Sequence, residues 1–247
     1  MDLLSEHGFR QDGRSVDQIR QFASKMGVYR QADGSAYLEM GNTKVLAAVY
    51  GPHEMRYRHK MLDDRCFINC QYSMAVFSTT ERKVRPRGDR KSLEFTQHLQ
   101  KTFDSAILTH LYPRSQIDIF CEILQADGSN LAACVNASTL ALVDAGVPMR
   151  GCVSACCSGC VRTRDSFETV LDLSHLEEGA QGARVTMALL PRNEEIVLME
   201  LDNRIHIDHL ETLLDKCTDG CKQVHSCLEA AVRKNAADNA DCFGLDK

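Results

Sequence analysis

No stretch of this chain is apolar for long enough to cross a membrane. The longest uncharged run, Gly128 to Val143, is interrupted by Ser, Asn and Thr and falls short of the roughly 18 apolar residues a spanning helix needs. The start, Met1-Asp2-Leu3-Leu4-Ser5-Glu6-His7, has no basic opening and no apolar centre, so it is no secretory signal. An intracellular protein with reduced cysteines is therefore expected, with no membrane partner. The sequence also lacks Gly-Lys-Ser/Thr, which excludes the nucleotide P-loop. It has no low-complexity segment, no evident linker and no repeat of solenoid period.

The cysteines are plentiful but lack the spacing of a metal site. There are twelve, and a zinc ribbon would need paired Cys-x2-Cys knuckles at a defined separation. Cys152, Cys156 and Cys160 instead alternate with Ser154 and Ser158 on one face of a run of small residues that reads as a buried strand. Cys217 and Cys221 stand at i, i+4 on a helix face. Buried free cysteine behaves as a small hydrophobe, so core packing is expected, with no metal and no cofactor.

What is present is a globular composition, 44% hydrophobic and 26% charged over 247 residues. That length holds one large domain or two intimate subdomains. Strands are predicted over 28–40, 43–51 (joined at the hairpin turn Gly41-Asn42), 66–77, 116–124, 152–161, 168–173, 184–190 and 195–202. Helices are predicted over 90–111, 130–144 and 208–235. The turn from Asp144 to Arg150, with Gly146 and Pro148, is the best seam. It divides the chain into 1–150 and 151–235, followed by a flexible tail over 236–247.

Two stretches point to polyanions. The first runs from the strand ending near Leu124 through Gln125-Ala126-Asp127-Gly128-Ser129 into an Ala-rich helix from Asn130. A helix start offers unpaired N–H groups and partial positive charge, which suit a phosphate. A well-capped helix on a tight turn would read the same way. The second is Arg82-Lys83-Val84-Arg85-Pro86-Arg87-Gly88-Asp89-Arg90-Lys91, six basic residues and one acid in a chain of net charge −5. Basic charge gathered in one place suggests a polyanion bound there, although a solvated basic loop is common.

Several motifs occur in one order. They are Gly8-Phe9-Arg10-Gln11-Asp12-Gly13-Arg14, Gln31 to Ala36, Gly41 to Val45, Val49 to Pro52, Phe77-Ser78-Thr79 with the basic loop, Tyr112 to Asp118, Leu124 to Ala137, Asp144 to Met149 and Leu171-Asp172-Leu173. Over residues 8 to 235 the chain resembles the RNase PH-type, rRNA-processing subunits of the RNA exosome ring. The resemblance implies an α+β RNase PH fold, a ribosomal-S5-domain-2-like half followed by a smaller α+β half. For active members it also implies phosphorolysis, in which inorganic phosphate attacks the last 3′ phosphodiester of RNA and releases a nucleoside diphosphate.

Carried over position by position, the resemblance gives an uneven site. Gly128 and Ser129 match the phosphate-cradling turn, and Asn130 stands where active relatives carry arginine. A neutral amide supplies neither the fixed charge nor the bidentate fork that holds a phosphate dianion. Asp172 matches a first catalytic carboxylate, and Glu178 stands where active relatives have a second, an aspartate. One extra methylene shifts a carboxylate by on the order of 1 Å, more than catalysis tolerates. A carboxylate at a strand end can equally pair locally, and Glu177-Glu178 can be a solvated acidic turn. Arg90 and Lys91 match a basic pair that contacts RNA. Arg87, Arg65 and the loop from Arg56 to Lys60 are further candidates for the RNA path. Arg90 is unfavourable for the helix it begins, which favours a ligand role.

The implied protein is a non-catalytic RNA-binding ring subunit. Its partners would be RNA, paralogous RNase PH-type ring subunits, cap subunits with OB and KH modules, and a docked hydrolytic exoribonuclease. Its implied locations are nucleus, nucleolus and cytoplasm. The alternative is an active phosphate-dependent 3′→5′ exoribonuclease.

Overall fold

A computed structural model describes residues 4–5, 8–55, 61–82, 88–162, 167–180 and 182–243. Two sheets enclose a buried helix. The first sheet has the order β1-β2-β3-β5-β4, from β1 (Phe22–Met26), β2 (Gly34–Met40), β3 (Thr43–Glu54), β4 (Phe67–Met74) and β5 (Ser115–Gln125). Only the β4–β5 pair is parallel. The second has the order β7-β6-β8-β9, from β6 (Ser154–Arg162), β7 (Phe167–Leu171), β8 (Arg184–Leu190) and β9 (Glu195–Asp202), all antiparallel.

The buried helix is α2 (Asn130–Asp144), and every residue from Leu131 to Leu142 is buried. It is apolar all round, as a helix with a sheet on each side must be. Small side chains let both sheets approach. Its polar residues do structural work: Asn136 exchanges two hydrogen bonds with the backbone of Ala155 (2.8 and 2.9 Å), and the Thr139 hydroxyl donates to the Val153 carbonyl (3.0 Å). The side chains of α2 thus satisfy the backbone where β6 begins and tie the two halves together. Ala155, Ala188 and Leu190 of the second sheet belong to the same core as β2, β3 and β5.

Helix α1 (Arg90–Ala106) packs beside β4, and α4 (Ile207–Phe243) covers the second sheet, with a short α3 (His175–Glu178) between β7 and β8. Asp89 caps α1, its carboxylate accepting from Arg90 N–H at 2.8 Å. The apolar periodicity extends to 111, but the helix ends at Ala106. Ile107 turns extended and bridges to Met149, so its side chain enters the core from a strand-like position.

The hairpin at Gly41-Asn42 is present, with Gly41 at φ +59°. The stretch 28–40 is not one strand. β1 lies earlier, and β2 starts only at Gly34 after the turn that follows Gly27. Among the described residues nine cysteines are buried, and Cys156, Cys217 and Cys221 pack together with Val185, Met187 and Leu189. Two boundaries differ from the sequence reading. Residues 236–243 continue α4 as helix, and 244–247 of the expected tail lie outside the described residues. The N-terminal segment, grouped with 1–150, packs on the second sheet: Leu4 joins Cys157, Val161, Val170 and Leu173, and Val16 accepts from Leu171 N–H.

Candidate RNA-binding site

The loop between β5 and α2 is fixed from several directions. Gly128 has φ +82°, and a Cβ there would lie 2.4 Å from the Leu173 carbonyl oxygen. Both backbone and space require glycine. Arg20 Nη1 donates to the Asp127 carbonyl (2.6 Å), and Arg20 Nη2 and the Thr43 hydroxyl donate to that of Gly128 (3.3 and 2.9 Å). Asn42 and the backbone N–H of His175 hold the Asp127 carboxylate (3.0 and 3.3 Å). Ser129 follows at φ +52°, its hydroxyl donating to Leu173 O (3.2 Å).

The N–H of Ser129 is not vacant. It donates to Glu178 Oε1 at 2.8 Å. Glu178 Oε2 lies 3.4 Å from Arg184 Nη1, and Arg184 Nε donates to Asp202 at 2.6 Å. Burial lowers the pKa of Arg184, but Asp202 and Glu178 outweigh it and hold the guanidinium charged. A carboxylate of the chain itself therefore occupies the anion-favouring end of α2.

These groups line a cavity of about 300 Å³ beneath the start of α1. Its walls carry two fixed cations, Lys91 and Arg184, against four carboxylates, Asp89, Glu178, Glu200 and Asp202, so the lining is net negative. Asn130 is on the wall, with its Oδ1 buried and without a hydrogen-bond partner among the described residues.

Asp172 is not part of this cavity. It is fully buried and at φ +51°. Its carboxylate accepts from Arg20 N (2.9 Å), Nε (2.9 Å) and Nη2 (2.7 Å), with Arg14 Nη1 at 3.9 Å. Burial pushes its pKa up, but the charge and hydrogen bonds of Arg20, with Arg14 behind them, hold it below the ordinary carboxylate value. Asp172, which by position matches a catalytic carboxylate of active relatives, is thus an internal ion-pair partner here. Its oxygens face an internal arginine and cannot reach a substrate. Glu177 turns inward likewise, to Arg10, whose guanidinium also reaches the Leu171 and Asp172 carbonyls (2.5 and 2.9 Å).

The basic candidates separate. Lys91 lines the cavity, whereas the Arg90 side chain is 92% exposed and reaches Glu94 at 3.4 Å. Arg65 precedes β4, whose first residue pairs with Gln116 at the start of β5, while the cavity lies beyond the end of β5. At about 3.3 Å per residue along β5, Arg65 is some 25 Å or more from Ser129. Arg87 and the loop 56–60 lie outside the described residues. Arg184, Asp202 and His175 were not legible as site residues. The one local signal is that Arg184 and Thr186 share a face of β8 at period two.

The geometry is that of an RNase PH fold, and the chain belongs to that family. Residues 18–148 match the 3′ exoribonuclease family, domain 1, and residues 152–219 match its domain 2. The chain is 51% identical over 245 residues to "Exosome complex component RRP41" of Mus musculus, with 99% of this chain and 98% of that protein covered. It is 40% identical over 232 residues to "Exosome complex component Rrp41" of Methanopyrus kandleri, covering 94% and 95%. The structure of Oryza sativa Rrp46 superposes with a TM-score of 0.79 over 90% of this chain and 100% of that one. At 22% identity this is a likeness of fold alone.

Proposed function

We propose that this chain is a non-phosphorolytic, RNA-binding ring subunit of the RNA exosome, scaffolding 3′→5′ degradation and processing of RNA. The carrying observation is the Glu178 carboxylate on the Ser129 N–H. An incoming phosphate needs that N–H and would sit within about 4 Å of Glu178. Like charges at that distance repel by about 4 kcal/mol per charge pair at the effective dielectric of a protein surface. Asn130 adds no cation to offset this, and Arg184 is already paired to two carboxylates. The names of the close relatives support assembly in an exosome ring.

Ring assembly needs an apolar edge. β9 is the last strand of its sheet, and Ile196, Met199 and Leu201 on it are 54%, 50% and 43% exposed. Such an edge suits a paralogous RNase PH-type subunit. We extend the proposal to cap subunits with OB and KH modules, a docked hydrolytic exoribonuclease, and work in nucleus, nucleolus and cytoplasm.

The test is a phosphate-dependent RNA degradation assay on the chain with its paralogous partner. No nucleoside diphosphate should appear. Diphosphates that vanish with the Glu178→Ala variant would instead establish an active phosphorolytic exoribonuclease.

A further inference from the structure

Phe77 is the outstanding exposed aromatic ring of the described residues, at 76%. It stands in a loop tied down by its neighbours: Ser78 N–H donates to the Ala75 carbonyl (3.0 Å), and Ala126 N–H donates to that of Ser78 (2.9 Å). The Thr79 hydroxyl donates to the Glu81 carbonyl (2.6 Å). The ring is therefore presented to solvent on a fixed backbone. It borders an open groove of about 650 Å³ whose other walls include Asn42, Lys44, Gln125 and His175. This groove and the cavity beside Lys91 share Thr79, Ala126 and His175 as walls, so the two adjoin.

We propose that Phe77 is a stacking platform for a base of single-stranded RNA, resting on the reading of this chain as an RNA-binding subunit. An aromatic face on a fixed loop stacks any base, since every base has a π-face. The surroundings match a nucleobase better than a protein partner. Beside the ring the groove has only Leu124 and Ala126 as apolar lining, and its hydroxyl, amide and imidazole groups can meet the polar edges of a base. A protein contact would need a contiguous apolar core around it, and here that character belongs to β9. Near-neutral walls also suit stacking: Lys44 is countered by Asp127 in the groove and by Glu39 at 3.7 Å. The contact is therefore sequence-tolerant and largely independent of salt.

The test uses the full chain assembled with its paralogous partner. A single-stranded RNA carrying 5-iodouridine, which photocrosslinks to stacked aromatic rings, should crosslink to Phe77. Phe77→Leu, which keeps the ring position apolar, should weaken RNA binding by about tenfold, within the range of stacking losses. Phe77→Trp should restore binding. The loss should be the same at low and high salt, whereas Lys91→Glu should lower the salt slope. If Phe77→Leu binds RNA as wild type does, or no crosslink forms at Phe77, the platform is wrong while RNA binding stands. If Phe77→Leu weakens subunit assembly and leaves RNA affinity intact, the ring is a protein contact and the proposal falls. If the wild-type assembly gains no RNA affinity from this chain and Lys91→Glu changes nothing, the underlying reading fails as well.

Discussion

Replacing Asp172 should cost stability, not a chemical step. Its carboxylate accepts three hydrogen bonds from Arg20, at 2.9, 2.9 and 2.7 Å, inside a fully buried site. Asp172→Leu would leave Arg20 buried and uncompensated, with Arg14 close by. Breaking one side of such a pair costs about 3–5 kcal/mol, a large share of the 5–15 kcal/mol typical of a folded domain. In urea, with a slope of about 3 kcal/mol per M, the midpoint should fall by about 1–2 M. The chain has no tryptophan, so far-UV circular dichroism is the suitable probe. Adding Arg20→Met to Asp172→Leu removes both charges and should recover at least about 2 kcal/mol relative to the sum of the single losses. Acid should act through the same group. The folded pKa of Asp172 lies below its unfolded 3.8, and that of Glu177 below 4.5. Their stabilisation is therefore fully present above those unfolded values and lost as pH falls through the folded ones. The stability of wild type should decline below about pH 4.5, and that of Asp172→Leu less steeply. A single variant within 1 kcal/mol of wild type, on the scale of an exposed pair, would refute the buried-pair account.

Three further outcomes follow from the geometry. Lys91→Glu should weaken RNA binding by the assembled ring and lower the log–log salt slope by about one unit, more than Arg90→Glu, whose side chain points to solvent; equal effects would place the RNA path outside the cavity. Gly128→Ala should destabilise by more than about 1–3 kcal/mol, because strain at φ +82° adds to a Cβ 2.4 Å from Leu173 O; an unchanged urea midpoint would show that the loop can relax. Ile196→Glu with Met199→Glu on the β9 edge should abolish association with a paralogous subunit while the chain stays folded, as read by light scattering and circular dichroism; retained association would move the interface elsewhere.

Features set by local chemistry were legible in the chain alone. The strand–turn–helix at Gln125 to Asn130 could be read because Gly128 and the Ala-rich run act within a few residues. The Gly41-Asn42 hairpin and the burial of Cys156, Cys217 and Cys221 followed from turn chemistry and periodicity. Family membership followed from motifs in order. Tertiary structure alone decided what the charged residues do. A carboxylate at a strand end looks the same in sequence whether it faces substrate or an arginine, and Asp172 meets Arg20 across 152 residues of chain. Glu178 reaches the helix start through a contact 49 residues apart, and Arg10 reaches Glu177 across 167. Backbone conformation responds mostly to near neighbours, so its signals lie in short windows of sequence. The partner of a buried charge is chosen by which distant segments the packed sheets bring within 3 Å, and no short window records that choice.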